Sequence, residues 1–235
     1  MTEHSYWAVI PAAGSGARFG SVTPKQYLPL AGKTVIEWAL SPFLADDRCR
    51  AVVVAIAADD AHWSRLAVTH PKLRVTQGGS DRAQSVLSGL LELQEVTTNS
   101  WVLVHDAARP CLHANDLQHL LNAATPELVG ALLATPLADT LKQADAEQRI
   151  VKTLPRTRLW RAQTPQMFRL GMLRDALQSA ISNGVSVTDE ASAMEAMGYS
   201  VRLVAGRTDN LKITLPEDLL LAGSILAAHA STNAA

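Results

Sequence analysis

Apolar positions along the chain fall into two kinds of run that alternate. Trp7-Ala8-Val9-Ile10, Ala51 to Ala57, Leu73 to Gln77, Trp101 to His105 and Gly130 to Thr135 are short and largely apolar, the pattern of strands buried on both faces. Between them, Thr34 to Leu44 and Ala83 to Leu93 space their apolar residues three and four apart, which predicts amphipathic helices. Strands separated by helices imply parallel pairing with right-handed crossovers. The fold class expected is α/β, an open three-layer arrangement around a mostly parallel sheet. Ligands of such sheets gather at the carboxyl ends of the strands.

The later third breaks this rhythm. Ala138 to Trp160 is charged, alternates poorly and places Ala144-Asp145-Ala146-Glu147-Gln148 between two short β-like pieces, so a β-hairpin arm is expected at about 137–160. Its apolar residues (Leu141, Ile150, Leu154, Leu159, Trp160) are too few for a core of their own. A projecting hairpin is barely stable alone, so it should pack on something, plausibly a second copy of the chain. Beyond it, a helix is predicted from about Leu170 to Asn183, closed by Gly184, and a shorter one opened by Thr188 with Asp189 and Glu190 in its first turn. A last strand, Ser200 to Ala205, precedes a helix started by Thr214 with Glu217 completing a capping box.

Composition narrows the class. With 235 residues, 48% of them apolar, the chain can bury one substantial core, and 1–235 is expected to be one domain with an arm. A net charge of −1 offers no footprint for nucleic acid. Cys49 and Cys111 have neither metal-ligand nor redox-motif spacing, and suit reduced thiols of a cytoplasmic protein. A strand begins within a few residues of the N-terminus, so no secretory signal is expected. The longest apolar stretch, near Leu219 to Ala230, is too short and interrupted to span a bilayer, so no membrane partner is expected.

Candidate chemistry begins after the first strand, at Pro11-Ala12-Ala13-Gly14-Ser15-Gly16-Ala17-Arg18 followed by Pro24-Lys25-Gln26. Small residues there let a backbone approach an anion and aim N–H groups at it. Arg18 and Lys25 add two cations to the same loop, a combination suited to a triphosphate. The dinucleotide fingerprint fails, because Phe19 stands where its third glycine belongs and no suitable acid follows about 20 residues on. A P-loop fails too, for want of Gly-Lys-Ser/Thr. An ordinary tight turn with two solvated cations is the plain alternative.

Taken together, these segments resemble the 2-C-methyl-D-erythritol 4-phosphate cytidylyltransferase family. The likeness is carried by Pro11 to Arg18, Pro24-Lys25-Gln26-Tyr27, Gly78-Gly79-Ser80-Asp81-Arg82, Val104-His105-Asp106-Ala107-Ala108-Arg109-Pro110, Asp139-Thr140, Thr164-Pro165-Gln166, Thr188 to Ser192 and Asp209 to Thr214. It implies a Rossmann-like nucleotidyltransferase fold, a homodimer with exchanged arms, and Mg2+-dependent transfer of CMP from CTP to 2-C-methyl-D-erythritol 4-phosphate. A ribitol-5-phosphate cytidylyltransferase is the nearest alternative; a nucleotide sensor and a dinucleotide-dependent oxidoreductase are remoter ones.

The resemblance also implies residue roles. Arg18 and Lys25 would stabilise charge on the triphosphate, and Arg156 and Lys212 would position the acceptor phosphate. Ala12, Ala13, Gly14, Gly16, Gly79, Ser80, Ser85 and Ala107 would line the nucleotide site, with Ser85 otherwise a plain helix serine. Arg109, Thr140, Thr164 and Thr188 would complete the acceptor pocket. Asp106, otherwise a helix cap, and Asp209 would be the carboxylates near Mg2+. Because the nucleophile is a phosphate already ionised near neutral pH, the site needs cations rather than a base. His105 is therefore expected to be structural.

Overall fold

The computed structural model describes residues 5–14, 19–20, 23–66 and 68–233. Strand β1 (Tyr6–Pro11) is followed by a small ribbon, β2 (Pro29–Leu30) and β3 (Lys33–Thr34). Next come helix α1 (Val35–Ala45), β4 (Cys49–Ile56), β5 (Leu73–Gln77), α2 (Arg82–Leu91), β6 (Trp101–Val104) and α3 (Ala114–Ala124). The second half runs β7 (Gly130–Pro136), β8 (Leu141–Ala144), β9 (Ile150–Leu154), β10 (Trp160–Arg169), α4 (Leu170–Ser182), α5 (Glu190–Ala196), β11 (Arg202–Ala205) and α6 (Glu217–Asn233).

Seven strands form one sheet in the order β11-β7-β10-β6-β1-β4-β5. All pair in parallel except β10, which lies antiparallel between β6 and β7. Both faces are covered, as the continuous apolar strands require. Alternation along β1 sends Ala8 and Ile10 to the layer holding Ile36, Leu40 and Leu120, and Val9 to the opposite layer with Val86, Leu90 and Leu173. Helix α6 closes a third cluster through Ala222 and Leu226, against Leu30, Val35 and Ile213. From β1 the chain builds outward to β4 and β5, then returns to place β6 on the other side of β1. That reversal opens a crevice above the carboxyl ends of β1 and β6.

Four details differ from the sequence expectation. Strand β10 was not anticipated, because Pro165 argues against a central strand. The pairing with β7 shifts register between Ala162 and Gln166, and this bulge accommodates the proline. Helix α3 was likewise unanticipated. Helix α5 is opened by Asp189, which shares a reciprocal capping box with Ser192, rather than by Thr188. Before α6, the N–H groups of Thr214 and Leu215 donate to Asp218 rather than to Glu217. A carboxylate one residue further on fits because the helix begins only at Glu217.

The arm is present as β8 and β9, which pair only with each other. Trp160 belongs instead to β10, opposite Pro136. Ile150 is 68% and Val151 59% exposed, so the hairpin leaves apolar side chains uncovered. Both cysteines are free and buried, and burial pushes each thiol up to about 12, which leaves them inert. Among the described residues, no helix is long and apolar enough to cross a membrane.

Candidate active site

Three strand ends build one pocket. After β1, the N–H of Ala12 still donates to Ala55 O across the sheet at 2.7 Å, and the chain then turns away. Gln26, almost fully buried, holds that turn: its Nε2 donates to Ala12 O at 2.8 Å and to Gly14 O at 3.1 Å. Among the described residues the N–H groups of Ala13 and Gly14 have no internal acceptor, and so remain available to an anion. Gly16 and Arg18 lie outside the described residues.

The second wall follows β5. A Cβ on Gly78 would sit 2.7 Å from Ala13 Cβ and 2.9 Å from Ser85 Oγ, and one on Gly79 would sit 2.3 Å from Gln84 Cβ. Only glycines let this loop close on the first turn. Gly79 N–H donates to Ser85 Oγ, Ser80 N–H to Gln84 Oε1, and Ser85 Oγ donates to Asp81 O at 2.8 Å. Ser85 is thus buried and built into the wall. The N–H groups of Ala12, Gly79 and Ser80 are already committed, so of the five backbone groups expected to meet the nucleotide only Ala13 and Gly14 have an uncommitted N–H among the described residues.

The third wall follows β6. Thr164, at the β10 bulge, accepts from Asp106 N–H at 3.0 Å and lies 3.0 Å from His105 Nδ1. Its hydroxyl proton therefore goes to Nδ1, and His105 Nε2–H donates to Arg109 O at 3.0 Å. Burial pushes the His105 imidazole down to about 4, so it is a neutral strut, as expected. Thr164 supports the wall from behind and does not line the cavity. Asn210 Nδ2 bonds Thr164 O at 2.9 Å, Arg109 Nη1 bonds Asn210 O at 2.7 Å, and Ile213 N–H bonds Ala108 O at 2.8 Å. These contacts dock the 209–213 segment on the loop after β6.

The result is a pocket of about 240 Å3 lined by Ala12, Ala13, Gly14, Lys25, Gly79, Ser80, Ser85, Asp106, Ala107 and Lys212, with Pro11, Gln26, Asp81, Arg82 and Ala108. Lys25 Nζ donates to Ile213 O at 2.6 Å, tying the first loop to the last. Lys212 Nζ lies 2.8 Å from Asp106 Oδ2. Arg82 contacts the other oxygen of Asp106 at 3.0 Å, and Arg109 Nε is 3.5 Å from Oδ2. Burial pushes the Asp106 carboxyl up, yet the charges of Arg82, Lys212 and Arg109 outweigh it and hold it well below the carboxylate range.

Other expected residues lie apart. Asp209 faces Arg207 and, at 3.1 Å, His229 Nε2; it does not line the pocket. Thr188 borders a separate small cavity beside Glu190. Thr140 and Arg156 stand on the arm, where both are exposed, with Arg156 Nη1 bonded to Ala138 O. Neither lines the pocket of its own chain. The roles of Arg82, Gln26 and Glu190 went unread in the sequence. Arg82 and Glu190 sit inside quoted motifs, but an arginine next to a helix start looks like surface until its partner, 108 residues away, is placed.

Comparison with known proteins agrees with this geometry. Residues 6–228 match the family model for 2-C-methyl-D-erythritol 4-phosphate cytidylyltransferase. Relatives with that name from Ectopseudomonas mendocina and Pseudomonas aeruginosa are 52% identical over 217 residues and 53% identical over 219. The alignments cover 91% of this chain and 92% of the first relative, and 92% and 94% for the second. A crystal structure of the Francisella tularensis 2-C-methyl-D-erythritol 4-phosphate cytidylyltransferase superposes with a TM-score of 0.82 at 36% identity, over 94% of this chain and 99% of that one.

Proposed function

The chain belongs to the 2-C-methyl-D-erythritol 4-phosphate cytidylyltransferase family, and from that premise we propose how its residues transfer CMP from CTP to 2-C-methyl-D-erythritol 4-phosphate. The products are 4-diphosphocytidyl-2-C-methyl-D-erythritol and pyrophosphate, in the non-mevalonate route to isoprenoid precursors. The observation that carries this reading is the meeting, around one cavity, of the Ala13-Gly14 turn, Lys25 and Lys212. Two free backbone donors and two ammonium groups from opposite ends of the chain suit two phosphate groups brought into contact.

In the reaction, a phosphate oxygen of the acceptor forms a bond to the α-phosphorus of CTP as the bond to pyrophosphate breaks. The nucleophile is already ionised, so no side chain takes a proton. The barrier lies in apposing two polyanions and in charge shifting to the leaving group. Lys25, fixed by Ile213 O, faces the triphosphate with Ala13 and Gly14. Arg18 would join it there. Lys212, held by Asp106, meets the acceptor phosphate. The N–H donors are oriented before substrate arrives, so no reorganisation is needed at the moment of transfer.

Mg2+ fits as an ion carried in by the phosphates. Among the described residues no group of three His, Cys, Asp or Glu could hold a metal, and Mg2+ is content with one carboxylate plus waters and substrate oxygens. Asp106, which lines the pocket, would be the carboxylate nearest such an ion, while Asp209 faces Arg207 and His229 instead. When bound, Mg2+ supplies neutralisation of phosphate charge.

The acceptor half of the site is taken to include Arg156 and Thr140 of a second copy, because both are exposed on an arm whose Ile150 and Val151 are left uncovered. A homodimer with exchanged arms, in the cytoplasm, follows as part of this reading. The test is pyrophosphate release across CTP, UTP, ATP and GTP, with 2-C-methyl-D-erythritol 4-phosphate and ribitol 5-phosphate as acceptors. Turnover is expected with CTP and the first acceptor only, and loss of that turnover on chelating divalent metal. Robust turnover with ribitol 5-phosphate would overturn the acceptor assignment.

A further inference from the structure

Glu190, the first residue of α5, has no exposed side-chain surface. Arg82 takes both its oxygens: Nη1 lies 2.5 Å from Oε1 and Nη2 3.0 Å from Oε2. The adjacent edge of the same guanidinium, Nε and Nη2, sits 3.0 Å from Asp106 Oδ1, and Asp106 Oδ2 is 2.8 Å from Lys212 Nζ. Four charges of alternating sign thus run from the start of α5 to the pocket wall. Stability is a weak reason for such a chain, since well-packed apolar side chains of similar volume often serve as well or better. What it does secure is direction, because the Arg82 and Asp106 planar groups are each gripped by two partners.

Helix α5 is itself pinned. Gln166 Nε2 donates to Asp189 Oδ2 at 2.9 Å, and Ala191 N–H donates to Gln166 Oε1 at 2.8 Å. Gln166 lies on β10, two residues beyond Thr164, which receives the Asp106 N–H. One strand therefore locates both carboxylates that Arg82 joins.

We infer that Glu190 is a positioning residue for the transfer, acting through Arg82 and Asp106 on Lys212. This rests on the reading of Lys212 as the acceptor's cation. Glu190 clamps the far edge of Arg82, Arg82 then offers Asp106 a fixed fork, and Asp106 sets where the Lys212 ammonium waits. With Glu190 neutral, Arg82 loses one side of its grip and the set-point of Lys212 drifts.

The test starts from the wild-type chain, whose failure to turn over CTP with the acceptor would count against the proposed function alone. Given that turnover, Glu190→Gln keeps the shape and is expected to lower kcat on the order of 10²-fold. The decisive comparison is Arg82→Met with Glu190→Met in one chain, which removes both charges together and leaves Asp106 paired with Lys212 and Arg109. Its melting temperature should recover to the wild-type range or above, while kcat stays low. If either variant folds and its kcat per folded molecule comes within about threefold of wild type, the pair is structural only and the inference fails. Should Glu190→Gln not fold, the double variant decides.

Discussion

The pocket wall and the hairpin arm handle charge and apolar surface in opposite ways. Around Asp106, three cations and a second carboxylate satisfy one another inside the chain. On the arm, Ile150 and Val151 face outward, and Arg156 touches only its own backbone among the contacts seen. The wall is finished without a partner; the arm is not. The charges of the pocket wall are therefore set by the fold of one chain, whereas the arm's share of the proposed acceptor site would be completed by assembly. Buried charge tolerates no unmet partner, whereas exposed cations and apolar tips can wait for one.

The sharpest break of that contrast is at the wall. Lys25→Ala should lower kcat on the order of 10²–10³-fold, measured as pyrophosphate release, because one preorganised charge facing the leaving group is lost. An undiminished rate would mean that the wall does its work without Lys25.

Next in size is the arm's dependence on a partner. Arg156→Glu and Lys25→Glu should each be inactive alone. Mixed in equal amounts and allowed to exchange subunits, they should regain about a quarter of wild-type turnover, since half the dimers would carry one intact site of two. No recovery, with mixed dimers demonstrated by differential tagging, would place Arg156 outside the site. A milder form of the same question is Ile150→Asp combined with Val151→Asp. Sedimentation should shift toward monomer at low concentration, with turnover falling in step, while the melting temperature changes little. A dimer that persists would show that the arm's apolar tip is not what holds it.

The smallest effect belongs to the wall's one histidine. The His105 imidazole is pushed down from 6.5 to about 4 by burial. Between those values the unfolded chain binds the proton and the folded chain does not, so stability is fully present above 6.5 and declines as pH falls toward 4. Urea midpoints should drop across that window, and His105→Gln should flatten the slope. A histidine acting as a base would instead show its titration in kcat near neutrality.

Legibility divided along similar lines. The parallel strands, the glycine turns and the helix over Thr34 to Leu44 were readable, because periodicity and steric freedom act within a few residues. Strand β10 was not, since its proline is absorbed by a bulge that only pairing with β7 defines. Asp209, like Asp106, is an acid within a quoted motif, and residue type does not tell them apart. Only placement beside Arg207 and His229 separates them. Asp189 and Asp218 displaced the capping residues expected at Thr188 and Glu217, because the helices begin one to three residues later than the apolar pattern suggests.

By itself the chain determined an α/β layout, a set of small-residue turns at strand ends, and a scatter of cations and carboxylates among its motifs. These are properties of neighbours in sequence, where steric freedom and side-chain periodicity leave few choices. The tertiary structure decided which cations meet which acceptors: Arg82 the Glu190 carboxylate across 108 positions, and Lys25 the Ile213 carbonyl across 188. Such pairings depend on the order of strands and on which face each residue occupies. Electrostatic attraction has no address in sequence until packing supplies one.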